Sequence, residues 1–537
     1  MKTRKPGAGS LIWRPEMSAA LFTRESCMKN MLVSAVMIAA LLHPHIFSQC
    51  TYVSGFSLAE GKSTALAPAI PKPAHGAWFH DSAYKTCVVR ATDYAADGLP
   101  SFARNDYSRR QAFNADNSMY LIYSHDGSWH VYSTGTLTHI KELPALGGDA
   151  EPQWNPADPD KLFFVPTNGG NAIKELTVST GAVRVAADFS GKLPWTGAAH
   201  IWTKSEGSPS ADGRYWGLMA EDNNFNILGI FTYDMQTGGV IATYATNNNP
   251  DNVTMSPTGQ FIVINWDDGM YAFARDFKSN FRLSTTGEHT DIALGADGHD
   301  IFVSVDYNAN DGSVYMYDLQ AQQRTDLFAT YLNSTATALH FSGKAFSKPG
   351  WALVSTYADY GGSVQWLHRK VFAVELKANP RIYCLAHHHV SKYSDDYWDE
   401  PHATVNRDFT RILFNSNWDA GTINVDAYMI YLTPGLIPDL PAQNVKKEPV
   451  SPVNRQSIST IRTSGNQIRI TMAQPVPGNY HLSLLSLNGK EVWSKKLVAG
   501  KGFTQTFACN CPPGQGVYLL RCVQNGIASS EKIVTYK

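Results

Sequence analysis

The stretch DNVTMSPTGQFIVINWDDGMYAFA (251–274) decides the fold. A few polar residues lead into a short strand, and a Pro/Thr/Gly turn follows. Phe261–Trp266 is then an apolar run, closed by Asp267-Asp268-Gly269 and followed by a third run, Met270–Ala274. Runs this short, punctuated by Gly, Asp and Pro, read as strands joined by turns rather than as helix. The same order returns at RRQAFNADNSMYLIYSHDGSWHVYS (109–133), EPQWNPADPDKLFFVPTNGGNAIKELTV (151–178), EGSPSADGRYWGLMAEDNNFNILGIFTYDM (206–235) and EHTDIALGADGHDIFVSVDYNANDGSVYMYDL (288–319). It returns again at TATALHFSGKAFSKPGWALVSTY (335–357), continued by VFAVEL (371–376), and at EPHATVNRDFTRILFNSNWDAGTINVDAYMIYL (400–432). Seven copies at a period of about 45 residues, with four strands to a unit, predict a seven-bladed β-propeller.

A lone four-stranded sheet cannot bury both faces, whereas a ring buries each blade against its neighbours. VVRAT (88–92) precedes the first full copy and is expected to supply the outer strand of the last blade, closing the ring. Region 83–435 offers no convincing amphipathic helix of about 12 residues, so the class is all-β. An array of β-sandwiches is the alternative. The turns SADGR (210–214) and SPTGQ (256–260), each between strands, favour the propeller and resemble those of TolB-like and WD-repeat propellers. At 537 residues the chain is long enough for a large domain and a smaller one. Lys+Arg (45) balances Asp+Glu (46), which leaves no electrostatic footprint for nucleic acid or an anionic membrane.

Residues 32–42, LVSAVMIAALL, form an apolar run too short to span a bilayer, which needs about 20 residues. The run follows Lys29 and precedes HPHIFSQC, so 1–48 reads as a secretory signal behind an over-extended start, with Met28 the initiator. Cleavage is expected after Ser48, leaving a mature chain from Gln49 with no transmembrane helix. A lipoprotein signal with an acylated Cys50 is disfavoured by Gln49 at the preceding position. Export places Cys50, Cys87, Cys384, Cys509, Cys511 and Cys522 in an oxidising compartment. Cys50 with Cys87, and Cys522 with Cys509 or Cys511, are candidate pairs that the sequence alone does not fix.

The expected organisation is an N-terminal extension (49–82), the propeller (83–435), a Pro-rich linker (436–454) and a small β-sandwich (455–537). Its strands are read at 467–473, 479–489, 490–498, 503–509, 516–526 and 532–536, with Asn488-Gly489 as a tight hairpin turn. Gly478-Asn479-Tyr480, Leu487-Asn488-Gly489-Lys490, Gly516-Val517-Tyr518 and the closing Lys532-Ile533-Val534 closely resemble the C-terminal sorting domain of the type IX secretion system of Bacteroidetes. That resemblance implies passage through the periplasm and the type IX machinery to the cell surface or the medium. A carbohydrate-binding or fibronectin-like sandwich is the alternative.

In a propeller the innermost strands line the channel, so chemistry is sought just before each first strand. The seven entries hold Arg104, Tyr107 and Arg109; Asp149 and Glu151; His200, Trp202, Lys204 and Glu206; Asn252; His289; His340; and Glu400 and His402 with Asn406 and Arg407. Arg, Lys, His, Tyr and carboxylates converging on one face suit an anionic or polyhydroxyl ligand. His289 and His402 begin strands two blades apart, and with Glu400 they form a candidate site for Mn²⁺, Zn²⁺ or Ca²⁺. This pattern weakly resembles oligogalacturonate lyases, propellers with a histidine-rich metal site on this face, although Thr404 stands where a second histidine of the last blade is expected.

The resulting expectation is a secreted or surface-anchored protein acting on acidic poly- or oligosaccharide by β-elimination. Arg104, Arg109 and Lys204 neutralise a uronate carboxylate, and His200, His289 or Tyr107 carries the proton transfers. Asp149, Glu151, Trp202, Asn252, His340, Asn406 and Arg407 contact substrate. Two other readings remain open: a non-catalytic glycan- or protein-binding propeller, and a glycoside hydrolase using Glu151 and Glu206 as its carboxylate pair. His387-His388-His389 reads as a loop feature, because neighbours on a strand point to opposite faces. Serine-hydrolase, nucleotide-binding and zincin fingerprints are absent.

Overall fold

The computed structural model describes residues 50–166, 168–309, 311–357, 363–391, 397–441 and the strands between 458 and 535. The predicted signal, most of the linker and the 487–490 turn lie outside the described residues. The chain divides into two compact units, meeting between Leu440 and Pro441. Among its described residues the first unit is all-β apart from one 3-10 turn, Tyr397–Asp399, and its sheets follow one another along the chain as a β-propeller.

Four-stranded groups begin at Phe102–Arg104, Gln153–Trp154, His200–Trp202, Asn252–Met255, Thr290–Leu294 and Ala338–Ser342. A seventh group begins at Thr404–Val405 and contains only three strands of its own. Cys87–Arg90 pairs with Val425–Tyr431 and supplies the fourth, as the VVRAT reading expected. Successive groups bury apolar faces on each other. Phe163, Ile173 and Phe189 pack with Ile201, Trp216 and Phe231, and Ala352, Phe372 and Val374 pack with Val303, Val305 and Val314. The contact between the third and fourth groups is close enough to require glycine. A Cβ on Gly217 would stand 2.5 Å from Ile262 Cδ1.

The chain before the ring runs along its edge. Ala59–Glu60 adds to Ile382–His387, and Trp78–His80 adds to Cys87–Arg90. A disulfide joins Cys50 to Cys87, while Cys384 is a buried free thiol.

The first group departs from the simple repeat. Ala103 and Arg104 pair with Ser124 and Tyr123, and pairing resumes only at Phe113 with Tyr120. The stretch 105–112 therefore bulges out of the sheet into the channel. There Thr404 Oγ1 donates to Arg110 O (2.6 Å), and Gln111 Nε2 donates to Val405 O (3.2 Å). A buried Lys344–Asp291 ion pair (2.9 Å) spans the fifth and sixth groups at the channel wall.

The C-terminal unit has two antiparallel sheets, of three and four strands. Five strands coincide closely with the expected ones, from Gln467–Ala473 to Gly516–Gln524, and the last, Ile527–Thr535, begins five residues before the expected 532–536. Ile458–Ser464 is a further strand that the sequence reading left out. Among the described residues no helix is long and apolar enough to cross a membrane.

Candidate functional site

The bulge in the first group and the beginnings of the fifth, sixth and seventh meet in a cluster of imidazoles and phenols. His289 immediately precedes the strand Thr290–Leu294, while His340 lies at the centre of Ala338–Ser342. Their rings stack at 4.5 Å between centroids, and His340 meets His402 edge-on at 4.2 Å. His402 sits two residues before Thr404–Val405 with φ 35°, a backbone state that a branched or ring-bearing side chain adopts only when its surroundings impose it. Glu400 Oε2 lies 3.2 Å from Nε2 of both His340 and His402. Tyr107 covers the group, 4.9 Å from His402 and 5.6 Å from His340. Tyr357 stacks on His340 at 4.4 Å, and Tyr397 lies 4.7 Å from His402.

Two arginines flank these rings. Arg104 is fully buried, its guanidinium lies 5.6 Å from the Tyr397 ring centre, and it contacts His402 Nδ1. Its Nε and Nη1 have no hydrogen-bond partner. Arg109 lies over Tyr107 at 5.2 Å and pairs with Glu206, and its Nε also lacks a partner. Buried N–H groups on a cation that find no acceptor are costly, so an acceptor that reached them would be held strongly.

Burial sets the protonation states. It pulls His289 down to about 3, helped by His340 and Arg109, and it pulls His340 and His402 well below the ordinary imidazole range. All three are neutral at physiological pH. Burial also pushes Tyr107, Tyr357 and Tyr397 above the ordinary phenol value, so each keeps its proton. His289 Nδ1 lies 3.2 Å from Leu339 O and 3.0 Å from Tyr357 OH. A carbonyl only accepts, so Nδ1 carries the proton in that bond and the lone pair falls on Nε2.

The donor set of His340, Glu400 and His402 lies within 4.8 Å of itself and suits a divalent cation. Neither nitrogen of His340 has a hydrogen-bond partner, nor does His402 Nε2. Two imidazoles with one carboxylate favour Mn²⁺ or Zn²⁺ over the all-oxygen preference of Ca²⁺. The set differs from the expected one in a single member: His340 stands where His289 was placed, and His289 backs it by stacking. Arg104 opposes loading. A guanidinium can only donate, so its contact leaves the neutral His402 ring protonated on Nε2. A cation on that nitrogen requires the proton to shift to Nδ1 and Arg104 to withdraw.

The remaining predicted residues divide by location. A recess of about 90 Å³ is lined by Tyr107, Asp149, Glu206 and Tyr397 among others, and through the two tyrosines it borders the histidine cluster. Glu151 also borders it, but its carboxylate is occupied by the N–H groups of Thr203 (2.9 Å) and Ser205. With Glu206 paired to Arg109, neither member of the proposed hydrolase pair is unengaged. Asp149 accepts from Asn168 N at 2.7 Å. His200, Trp202 and Lys204 lie on the third group, where His200 stacks on Phe225 (4.6 Å) and Lys204 covers Trp202 (4.8 Å). Asn252 starts the fourth group and donates to Asp251 (3.3 Å). Asn406 accepts from Arg411 N, and Arg407 lies over Phe346 at 5.3 Å. Both follow the two-residue strand Thr404–Val405 and so sit at its far end from His402.

Tyr357 and Tyr397 belong to the cluster, yet no motif singles them out. Tyr357 ends a second strand, where an aromatic ordinarily reads as packing. Tyr397 stands in the charge-rich stretch SDDYWDE (394–400), which ordinarily reads as a solvated loop.

No family model matches the chain, and no curated protein matches it. Three solved structures are similar in part. An oligogalacturonate lyase from Vibrio parahaemolyticus aligns over 67% of this chain and 97% of its own, with 13% identity and a TM-score of 0.47. A protein assigned as TolB from Agrobacterium tumefaciens aligns over 41% and 81%, with 18% identity and a TM-score of 0.29. Hydrazine synthase from Kuenenia stuttgartiensis aligns over 62% and 97%, with 11% identity and a TM-score of 0.39. At these scores the likenesses carry nothing about chemistry.

Proposed function

We propose that the chain acts on an acidic poly- or oligosaccharide by β-elimination. One observation supports this above the others: a neutral His289, with its lone pair on Nε2, sits beside protonated tyrosines and two buried arginines that each keep at least one N–H without an acceptor. Elimination at a uronate breaks the C5–H bond and the C4–O bond and forms a C4–C5 double bond. Its barrier falls when the carboxylate charge is neutralised, which Arg104 and Arg109 are placed to do. His289 Nε2 takes the C5 proton. A base held near 3 is weak, but the incoming carboxylate favours the imidazolium and lifts it. Tyr107 borders both the solvent recess and the histidines, and it donates its proton to the departing O4. A divalent cation on His340, Glu400 and His402 would supply Lewis acidity toward the substrate carboxylate.

Export accompanies this reading. The apolar N-terminal run and the type IX-like C-terminal segment support a route through the periplasm to the surface or the medium. The partners are then the saccharide and the secretion machinery, with no nucleic acid.

The test is the ultraviolet absorbance of unsaturated uronate while the protein meets a panel of acidic polysaccharides, with and without Mn²⁺. One substrate should give a rise, and His289→Ala should abolish turnover while retaining binding. A flat trace with binding intact would replace the lyase by a non-catalytic glycan binder. Reducing ends released without absorbance would indicate hydrolysis.

A further inference from the structure

Beside the recess that leads to Tyr107 lies a second and larger one, of about 560 Å³, on the third group. Its volume falls in the range of small-molecule sites. Trp202, Lys204, Glu221, Phe225, Asn247 and Asn249 line it. Three features set it apart from an ordinary surface dip. Phe225 is 50% exposed on a turn with φ 60°, and it stacks on His200, which holds one face of the ring and leaves the other to solvent. Trp202 donates its indole N–H to Glu221 (2.9 Å), which fixes the ring plane and one carboxylate oxygen at the floor. The two asparagine side chains are exposed at the margin.

The wall between the two recesses is a single loop. Lys204 faces the larger recess, and Ser205 and Glu206 face the smaller. Lys204 and Ser205 hold φ of 63° and 74°, conformations that L-residues avoid, and the buried Glu151 carboxylate clamps the backbone on both sides. A strained wall secured by a buried acid is specified, and it makes the two recesses neighbours.

We infer that the larger recess is a subsite for a further pyranose unit of the chain whose acidic unit enters beside Tyr107. The inference rests on the saccharide reading above and extends it from a single unit to a chain. An exposed aromatic face packs against the C–H face of a sugar ring, and amides with a carboxylate pair with ring hydroxyls. Lys204 and Glu221 balance in charge, so the subsite reads hydroxyls and ring shape rather than a carboxylate. The substrate is accordingly an oligomer, and the shortest oligomers leave this recess unfilled.

The experiment titrates uronate oligomers and neutral hexose oligomers, dimer through hexamer, into the full chain and its Phe225→Asn and Asn249→Ala variants by calorimetry. Asparagine tolerates the left-handed backbone at 225, which protects the turn. The expected result is about a tenfold weaker hexamer in Phe225→Asn, with dimer affinity unchanged and a smaller loss in Asn249→Ala. Equal loss for dimer and hexamer, or no loss for either, overturns the subsite. Length-dependent binding without unsaturated product keeps the subsite and removes the lyase. If only neutral oligomers bind, with the same dependence on Phe225, the subsite stands and the acidic substrate falls. If no oligomer of either kind binds the unaltered chain, the subsite is refuted.

Discussion

Replacing Glu151 by alanine separates a loop held by its surroundings from one that is merely packed. The carboxylate accepts from the N–H groups of Thr203 and Ser205, and Thr203 is buried. Stranding the buried Thr203 N–H costs about 1–3 kcal/mol, whereas the exposed Ser205 N–H turns to water at little cost. Against that loss, Lys204 and Ser205 relax from left-handed backbone, returning roughly 1–2 kcal/mol for each residue that escapes. Glu151 is itself held above its ordinary value because burial outweighs its hydrogen bonds, so removing it also removes a desolvation cost. The contributions nearly cancel, and the ring should melt within a few degrees of the unaltered protein. The loop should nevertheless loosen around Lys204, because the carboxylate holds the N–H groups on both sides of it, while Arg110 Nη2 on Ser205 O (2.7 Å), Gly207 N on Thr203 Oγ1 (3.0 Å) and the Arg109–Glu206 pair keep the rest of the loop in place. Hydrogen exchange at Thr203 and Ser205 should rise, with weaker turnover on long saccharides. Unchanged protection there, or a large fall in melting temperature with normal exchange, would refute the clamp.

Three further outcomes follow from the same geometry. Arg104→Met should raise Mn²⁺ affinity in calorimetry, because Arg104 and a cation compete for the tautomer of His402; weaker binding would mean that the guanidinium supports loading. Reducing the Cys50–Cys87 bridge, which closes a separation of 37 residues, should lower stability by about 4 kcal/mol on chain entropy, read as a melting shift with and without reductant. Asp234, drawn down to about 2 by its bidentate pairing with Arg214, contributes stability that is present above the ordinary carboxylate value and lost as pH falls toward 2. Arg214→Ala should remove that small contribution across the neutral range and leave stability near pH 2 unchanged, so the acid-unfolding profile flattens.

The blades were legible because their signals are local. SPTGQ (256–260) and SADGR (210–214) carry their turn chemistry within five residues, so the strands on either side could be placed without knowing what they pack against. The same locality explains His289, Glu400 and His402, which were found by looking just ahead of a strand. Arg104, Tyr107 and Arg109 were found by that rule as well, but not the split strand that turns them inward, since a bulge of that length depends on partners in the third, sixth and seventh groups. His340 lies in the middle of a strand, and its meeting with Glu400 and His402 depends on how tightly the ring closes. Asn406 and Arg407 were drawn into the site by sequence proximity. A two-residue strand is enough to carry them away from His402 to its other end.

The electrostatics of the chamber bear on what it binds. His289, His340 and His402 are neutral, so the positive charge comes from Arg104 and Arg109, with Glu206 already spent on Arg109. Glu400 is shared between two imidazole edges and lies near Arg104. A neutral ligand would leave the buried Arg104 Nε and Nη1 without acceptors, and a cationic one would add repulsion to that cost. A planar anion answers both nitrogens at once, and its charge stabilises the proton that His289 must accept. Binding and basicity therefore rise together: the group that satisfies the arginines is also the one that converts a nearly inert imidazole into a usable base. On the proposed lyase reading, the low value at His289 is therefore compatible with a role as the base, because an acidic ligand would lift it on binding.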